Sequence, residues 1–181
     1  FEYFPVDISQ NALDGIKSYL RTEVPTLIVK PNHNDYFKAL ENLKQDGTIK
    51  IILFLGSNIG NLVDELATEF IYQLGSNLFK GDKIILGVDL KKPKAIVLPA
   101  YNDSKGVTAE FNLNLLDRIN KELGANFNSA QFEHAPTYDE HIGIAKSYIK
   151  SKIKQSVIID GIEFYFEKDE LIHTEVSRKY D

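Results

Sequence analysis

The sequence contains no cysteine, which excludes a disulfide framework, a thiolate metal site and a cysteine nucleophile. It contains no methionine either, so no initiator opens it, and Phe1-Glu2-Tyr3-Phe4 already reads as strand. Its end, Ser177-Arg178-Lys179-Tyr180-Asp181, carries no obvious terminal element. The 181 residues are therefore expected to be an internal piece of a longer protein. No apolar run approaches the length that spans a bilayer and no signal peptide opens the chain, so no membrane partner is expected. The formal net charge is -5, and no block of lysine and arginine offsets it, which argues against a nucleic-acid partner. These absences fit a cytoplasmic protein.

Several catalytic signatures are also missing. The four histidines, His33, His134, His141 and His173, show no metal-ligand spacing, so no metal is expected. There is no G-x-S-x-G elbow and no Walker-type phosphate loop. What remains is an ordinary globular composition, 43% hydrophobic and 26% charged, enough for one α/β domain or one domain with a sizeable insertion.

The stretch Phe54-Leu55-Gly56-Ser57-Asn58-Ile59-Gly60-Asn61-Leu62 follows the apolar run 49–53 and reads as a strand, a glycine-rich bend and then a helix. Asn61 stands where that helix should begin, free to cap it or to aim its amide at a ligand. In open α/β sheets ligands collect at the carboxyl ends of strands, where helix N-termini present unpaired N–H groups. The glycines do not match the dinucleotide fingerprint and follow a late strand.

The first half alternates strand and helix. Strands are expected at 3–7, 25–29, 50–55 and 83–88. One helix is capped by Ser9 and carries Leu13, Ile16 and Leu20; a second carries Tyr36, Leu40 and Leu43 and stops at Gly47. A third presents Leu62, Leu66, Phe70 and Leu74 on one face. This rhythm implies a mostly parallel sheet with right-handed crossovers. After Lys92 it changes. A long helix over 106–123, with Phe111, Leu115, Leu116 and Ile119 facing inward, is closed by Gly124. From His141 onward the pattern is β, with Ile142, Ile144 and Tyr148 on one parity and a hairpin at Asp160-Gly161 between 154–159 and 162–166. The expectation is a parallel-sheet domain over 1–92 and a helix-plus-antiparallel-sheet substrate domain over 93–181.

Acids fall at the strand ends. Asp7 is placed to accept hydrogen bonds from ribose hydroxyls, and Asp35 follows the second strand with Tyr36 beside it to stack. Both acids suit helix capping equally well. Asp89 reads as a cap or a loop salt-bridge partner.

Six ordered segments then carry a resemblance. They are Phe4-Pro5-Val6-Asp7-Ile8-Ser9, Leu55-Gly56-Ser57-Asn58-Ile59-Gly60-Asn61 and Gly81-Asp82-Lys83-Ile84-Ile85-Leu86-Gly87-Val88-Asp89 in the first half. Ala100-Tyr101-Asn102-Asp103, Gly106-Val107-Thr108-Ala109-Glu110-Phe111-Asn112-Leu113-Asn114 and Thr174-Glu175-Val176-Ser177-Arg178-Lys179 follow. In order and spacing the chain resembles the S-adenosylmethionine-dependent histidine-specific methyltransferases, the family of the ergothioneine-pathway enzymes. The resemblance implies a Rossmann-like class I methyltransferase sheet, here incomplete, with an inserted α+β substrate domain. It implies S-adenosylmethionine as cofactor and a small amino acid as partner. By motif, Asp7 would hold the cofactor ribose, and Asp35 with Tyr36 the adenine. Asn61 would meet the substrate's α-amino end, Tyr101 its carboxylate, and Glu175 with Ser177 its imidazole.

Asn102 stands where the family motif has an acid, and residues 144–147 lack an aromatic and a methionine usual in the ergothioneine enzymes. The family also carries a glycine-rich cofactor loop ahead of the Pro5-Val6-Asp7 motif and sheet elements after the Glu-x-Ser-x-Lys motif. Without them this piece is expected to be inactive alone. Methyl transfer from a sulfonium to an amine is an in-line displacement that needs alignment, desolvation and a neutral amine, so no catalytic residue beyond substrate positioning is expected. Two other readings stay open: a class I methyltransferase for another small amine, and a non-catalytic homologue that only binds the cofactor.

Overall fold

A computed structural model describes residues 1–41 and 48–181. The chain forms two compact units, one made of Phe1–Leu53 with Asp64–Ile85, the other of Phe54–Val63 with Leu86–Asp181. Both mix helix and strand, so the fold class is α/β in the broad sense.

The first unit runs β1 (Glu2–Tyr3), β2 (Val6–Asp7), α1 (Gln10–Glu23), β3 (Ile28–Val29), β4 (Asn32–His33) and α2 (Tyr36–Glu41). Then come β5 (Ile51–Phe54), whose last residue belongs to the second unit, α3 (Asp64–Ser76) and β6 (Lys83–Leu86), whose last residue does too. The single strand expected over 3–7 is two short ones. β1 pairs parallel with β3 and β2 parallel with β4, separated where Pro5 and Pro31 supply no N–H. The bonds Lys30 N–H to Tyr3 O and Asn32 N–H to Pro5 O, each 2.8 Å, carry the pairing across the gap. Parallel pairing is thus present, in two-stranded pieces.

Ser9 caps α1 as its position predicts, its Oγ accepting the Ala12 N–H at 3.3 Å. Leu13 is the buried residue of that helix. α3 buries Phe70 and Leu74; Tyr36 of α2 lies tilted to Phe70 and Phe37 edge-on to it, at 5.9 and 6.0 Å between ring centroids. Leu62, expected on α3, precedes it, because the helix starts at Asp64. Leu43 and Gly47, expected to continue and stop α2, lie outside the described residues.

The second unit begins with a 3-10 turn over Asn58–Asn61 and continues through α4 (Lys94–Tyr101) and α5 (Val107–Leu123). Strands β7 (Phe132–His134), β8 (Thr137–Asp139), β9 (Ile144–Ser151), β10 (Gln155–Ile159), β11 (Ile162–Phe166) and β12 (Leu171–Arg178) complete it. β9 is the spine: β12 pairs antiparallel along one edge, and β7 and β8 share the other. β10 and β11 form the hairpin expected at Asp160-Gly161, both turn residues at positive φ (49° and 78°).

Along β9 every second residue, Ala145, Ser147, Ile149 and Ser151, is buried, the period of a sheet covered on one face. Ile149 packs with Leu116, Phe127, Phe132 and Val157, and Phe132 meets Phe166 edge-on at 5.8 Å. Gly124, at φ 61°, ends α5 as predicted. Phe111, expected inward, is 75% exposed. Asn112 takes the buried place instead, its Oδ1 accepting the Thr174 hydroxyl of β12 at 2.8 Å. Helix α4, which the residue pattern did not announce, buries Val97 against Tyr138 and Ala145.

Candidate functional site

The named residues fall into two groups, one in each unit. In the first unit a cavity of about 190 Å³ is lined by Asp7, Ile8, Asn34, Asp35 and Tyr36. β2 delivers Asp7 at its carboxyl end and α2 starts at Tyr36, so a strand end and a helix start face the same space. Both acids also perform the structural task open to them. Asp7 Oδ1 accepts the Ser9 N–H at 2.7 Å, and Asp35 Oδ1 accepts the Lys38 N–H at 2.9 Å at the head of α2. A carboxylate has about four acceptor positions, so one local bond leaves capacity for a ligand. Two carboxylates beside an aromatic ring suit sugar hydroxyls and a flat heterocycle. The chemistry of this set fits the nucleoside part of S-adenosylmethionine.

In the second unit the glycine bend is folded tightly. Gly56 (φ 79°) and Ser57 (φ 60°) both adopt the left-handed region, and Ser57 N–H donates to Gly87 O at 3.1 Å. Ser57 Oγ accepts the Asp89 N–H at 3.0 Å. The 3-10 turn then lies against β12 so closely that a Cβ on Gly60 would stand 2.6 Å from Arg178 O. Asn61 therefore ends this turn and does not cap α3, a correction imposed by the close approach of Gly60 to β12. Among the described residues, none bonds to the Asn61 side chain.

Tyr101 ends α4, and the carbonyl at that end receives the His134 Nε2 of β7 at 2.7 Å. Glu175 and Ser177 lie on β12, opposite Ser147 and Ala145 of β9, and so share one face of that strand pair. Among the described residues, no hydrogen bond or ion pair engages the Glu175 carboxylate. On the same face Ser147 Oγ is buried without a partner.

At the centre is Lys179, 4% exposed. Its Nζ lies 2.6 Å from Tyr101 Oη, 2.9 Å from Ser177 Oγ and 3.2 Å from Asp89 Oδ2. Burial works against this ammonium, but the bonds to Tyr101 and Asp89 outweigh it and raise its pKa above the ordinary lysine value. Asp89 is held below the usual carboxylate range, first by the hydrogen bond from Lys92 and, against its burial, by Lys179. Asp89 is thus the loop salt-bridge partner that its position allowed.

Parallel backbone bonds hold this corner together: Tyr180 N–H donates to Asp89 O at 2.9 Å and Lys91 N–H to Tyr180 O at 2.8 Å. Gly143 (φ 69°) passes so near that a Cβ would meet Lys179 O at 2.7 Å. The structure therefore brings Tyr101 and Ser177 onto one buried cation, with Glu175 on the same strand and Asn61 on a turn against it. Lys179 had no assigned role in the sequence. The spacing Glu175, Ser177, Lys179, with period two on a strand, was the signal that could have found it.

The two groups define an α/β protein with a cavity lined by two carboxylates and an aromatic ring in one unit and a buried lysine that gathers polar side chains in the other. The chain belongs to the family described as "Histidine-specific methyltransferase, SAM-dependent", which matches residues 1–181. It is 31% identical over 180 residues to the histidine N-alpha-methyltransferase of Mycolicibacterium smegmatis, covering 98% of this chain and 56% of that protein. The enzyme of the same name from Mycobacterium tuberculosis is 29% identical over 180 residues, again 98% of this chain and 56% of the relative. Ergothioneine biosynthesis protein 1 of Schizosaccharomyces pombe is 29% identical over 144 residues, 78% of this chain and 19% of that protein. The chain spans about half the length of the bacterial relatives it matches.

Proposed function

We propose that the protein is an S-adenosylmethionine-dependent N-methyltransferase acting on the α-amino group of histidine or a closely similar amino acid. Residues 1–92 are the Rossmann-like cofactor part and 93–181 the substrate part in this reading. The observation that carries it is the convergence of Tyr101 and Ser177 on the Lys179 ammonium, on the strand that also bears Glu175. Family membership supports the reaction class, and the two bacterial relatives named for histidine support the substrate.

Asp7 holds the ribose, and Asp35 and Tyr36 the adenine, of the cofactor, whose contribution when bound is an electrophilic sulfonium methyl group. Asn61 and Tyr101 fix the substrate's amino and carboxylate ends. Glu175 accepts a ring N–H, and Ser177 serves the second ring nitrogen. With both ends held, the amine stays on one line of approach, which is the main acceleration an in-line transfer requires. A free α-amino group has a pKa of about 8, so a useful neutral fraction exists near neutral pH without a dedicated base.

The test is methyl transfer by the full-length protein across a panel of amino acids. Turnover on histidine, with ring-less amino acids inert, is expected. Turnover on several others with histidine inert would favour a different small-amine enzyme, and cofactor binding without turnover on any of them would favour a non-catalytic binding homologue.

A further inference from the structure

Lys179 is a buried cation that substrate recognition, as set out above, does not use. An ammonium has three N–H donors and no acceptor. Its three neighbours, Asp89 Oδ2, Tyr101 Oη and Ser177 Oγ, lie at 3.2, 2.6 and 2.9 Å and take one donor each. Each hydroxyl therefore accepts from Lys179, which turns its own proton away from the ammonium. For Tyr101 this gives a donor suited to a carboxylate. For Ser177 it answers a question the residue type leaves open, since a serine hydroxyl can both donate and accept.

We propose that Lys179 is a positioning residue that sets proton direction in the substrate site, so that the ring is bound as neutral imidazole, its N–H toward Glu175 and its bare nitrogen toward Ser177. The inference rests on the histidine reading above. A protonated ring would present an N–H to a hydroxyl already committed as donor, in front of an ammonium of like charge 2.9 Å behind it. Glu175 supplies the opposite requirement, an acceptor that no described residue occupies. One nitrogen must carry a proton and the other must not.

The remaining charged groups around the pair do not replace this logic. Asp89 and Lys92 pair with each other on the segment after β6, and Lys91 there pairs with Asp181 at 2.9 Å. Tyr138 of β8 donates to Lys92 O at 3.2 Å. Lys146 and Arg178 lie on the opposite face of β9 and β12. Two histidines lie nearby: His134 Nε2 binds the carbonyl of Tyr101, and His141 O accepts from Lys91 Nζ at 3.5 Å.

The experiment is calorimetric titration of histidine into the full-length protein at pH 5.5 and 7.5. With an ordinary imidazole pKa of about 6.5, the neutral fraction falls from about nine-tenths to about one-tenth over that span. The wild-type Kd for histidine is therefore expected to weaken about tenfold at the lower pH. A weakly basic isostere, 1,2,4-triazolylalanine, is expected to bind with a Kd constant within about twofold, because its ring stays neutral throughout. Lys179→Met is expected to reduce the pH ratio for histidine to about twofold or less, since Ser177 is then free to accept. Lys179→Arg should keep the ratio.

A histidine Kd that does not move with pH in the wild type overturns the inference and leaves the substrate reading intact. Equal weakening of the isostere would trace the effect to the protein rather than to the substrate ring and would also overturn it. So would an unchanged ratio in Lys179→Met, which marks a purely structural lysine. No histidine binding at either pH overturns this inference together with the substrate reading. The two wild-type titrations decide the matter even if the methionine variant does not fold.

Discussion

The two units bury their apolar residues in opposite ways. In the second, β9 alternates buried and half-buried residues along its whole length, and Ile149 is 0% exposed. In the first, the apolar strands stand open: Lys83, Ile84 and Ile85 of β6 are exposed, and Ile51 of β5 is 64% exposed. An antiparallel sheet completes itself with one covered face, whereas parallel strands carry continuous apolar runs meant for cover on both. The comparison also bears on the proposed division of function, which puts the cofactor residues Asp7, Asp35 and Tyr36 in the unit with the open strands and Tyr101, Glu175 and Ser177 in the other.

The sharpest way to break that contrast is a pair of truncations. Phe132→Ala removes a ring packed among Phe127, Phe166 and Ile149 and should cost about 3–5 kcal/mol. Ile85→Ala, at a side chain that is 51% exposed, should stay within about 1 kcal/mol. Chemical denaturation of the two variants measures both. Similar losses would mean that β6 is covered in solution and that the contrast does not hold.

The division of function is tested next. Asp7→Ala in the full-length protein should weaken S-adenosylmethionine binding by about 1.5–3 kcal/mol, the worth of a charge-assisted hydrogen bond. An unchanged affinity would reduce Asp7 to the acceptor of the Ser9 N–H. Glu175→Ala should lower kcat/KM for histidine roughly tenfold or more with cofactor affinity intact, because a ring N–H loses its acceptor. Equal losses on histidine and on a ring-less amino acid would show that Glu175 supports the sheet rather than reading the ring.

What was legible in the sequence was local. The Ser9 cap, the Gly124 stop and the Asp160-Gly161 hairpin depend on residues within one turn, and all three are present. What escaped was set by distant partners. Phe111 yields the core to Asn112 because Thr174, far along the chain on β12, offers that amide a hydrogen bond. Asn61 ends a 3-10 turn because Gly60 meets the backbone of Arg178. Helix α4 went unseen because Pro99 lies inside it and Val97 is its one buried residue. The family motifs brought Asp7, Asp35, Tyr36, Asn61, Tyr101, Glu175 and Ser177 forward as candidates. Lys179 closes the last of those motifs but received no role, because its partner Tyr101 is 78 positions away and only the period-two spacing with Glu175 and Ser177 hints at its burial.

The smallest expected effect separates two helices, one in each unit, by how they are capped. α1 begins on the Ser9 hydroxyl, which does not titrate, whereas α5 begins under a carboxylate. Asp103 accepts the Thr108 N–H at 2.8 Å and the Val107 N–H at 3.1 Å. Those bonds, the Thr108 backbone first, hold its pKa at about 2. The unfolded value is about 3.9, so the depressed group contributes stability above that pH and loses it as the pH falls toward 2. The first turn of α5 should therefore fray between about pH 4 and 2, with faster amide exchange at Val107 and Thr108 and none of this change at Ala12. Asp103→Asn should remove the pH dependence at α5, because an amide oxygen caps without titrating. A carboxyl titration of Asp103 by NMR with its midpoint near 3.9 would show that the cap does not form in solution.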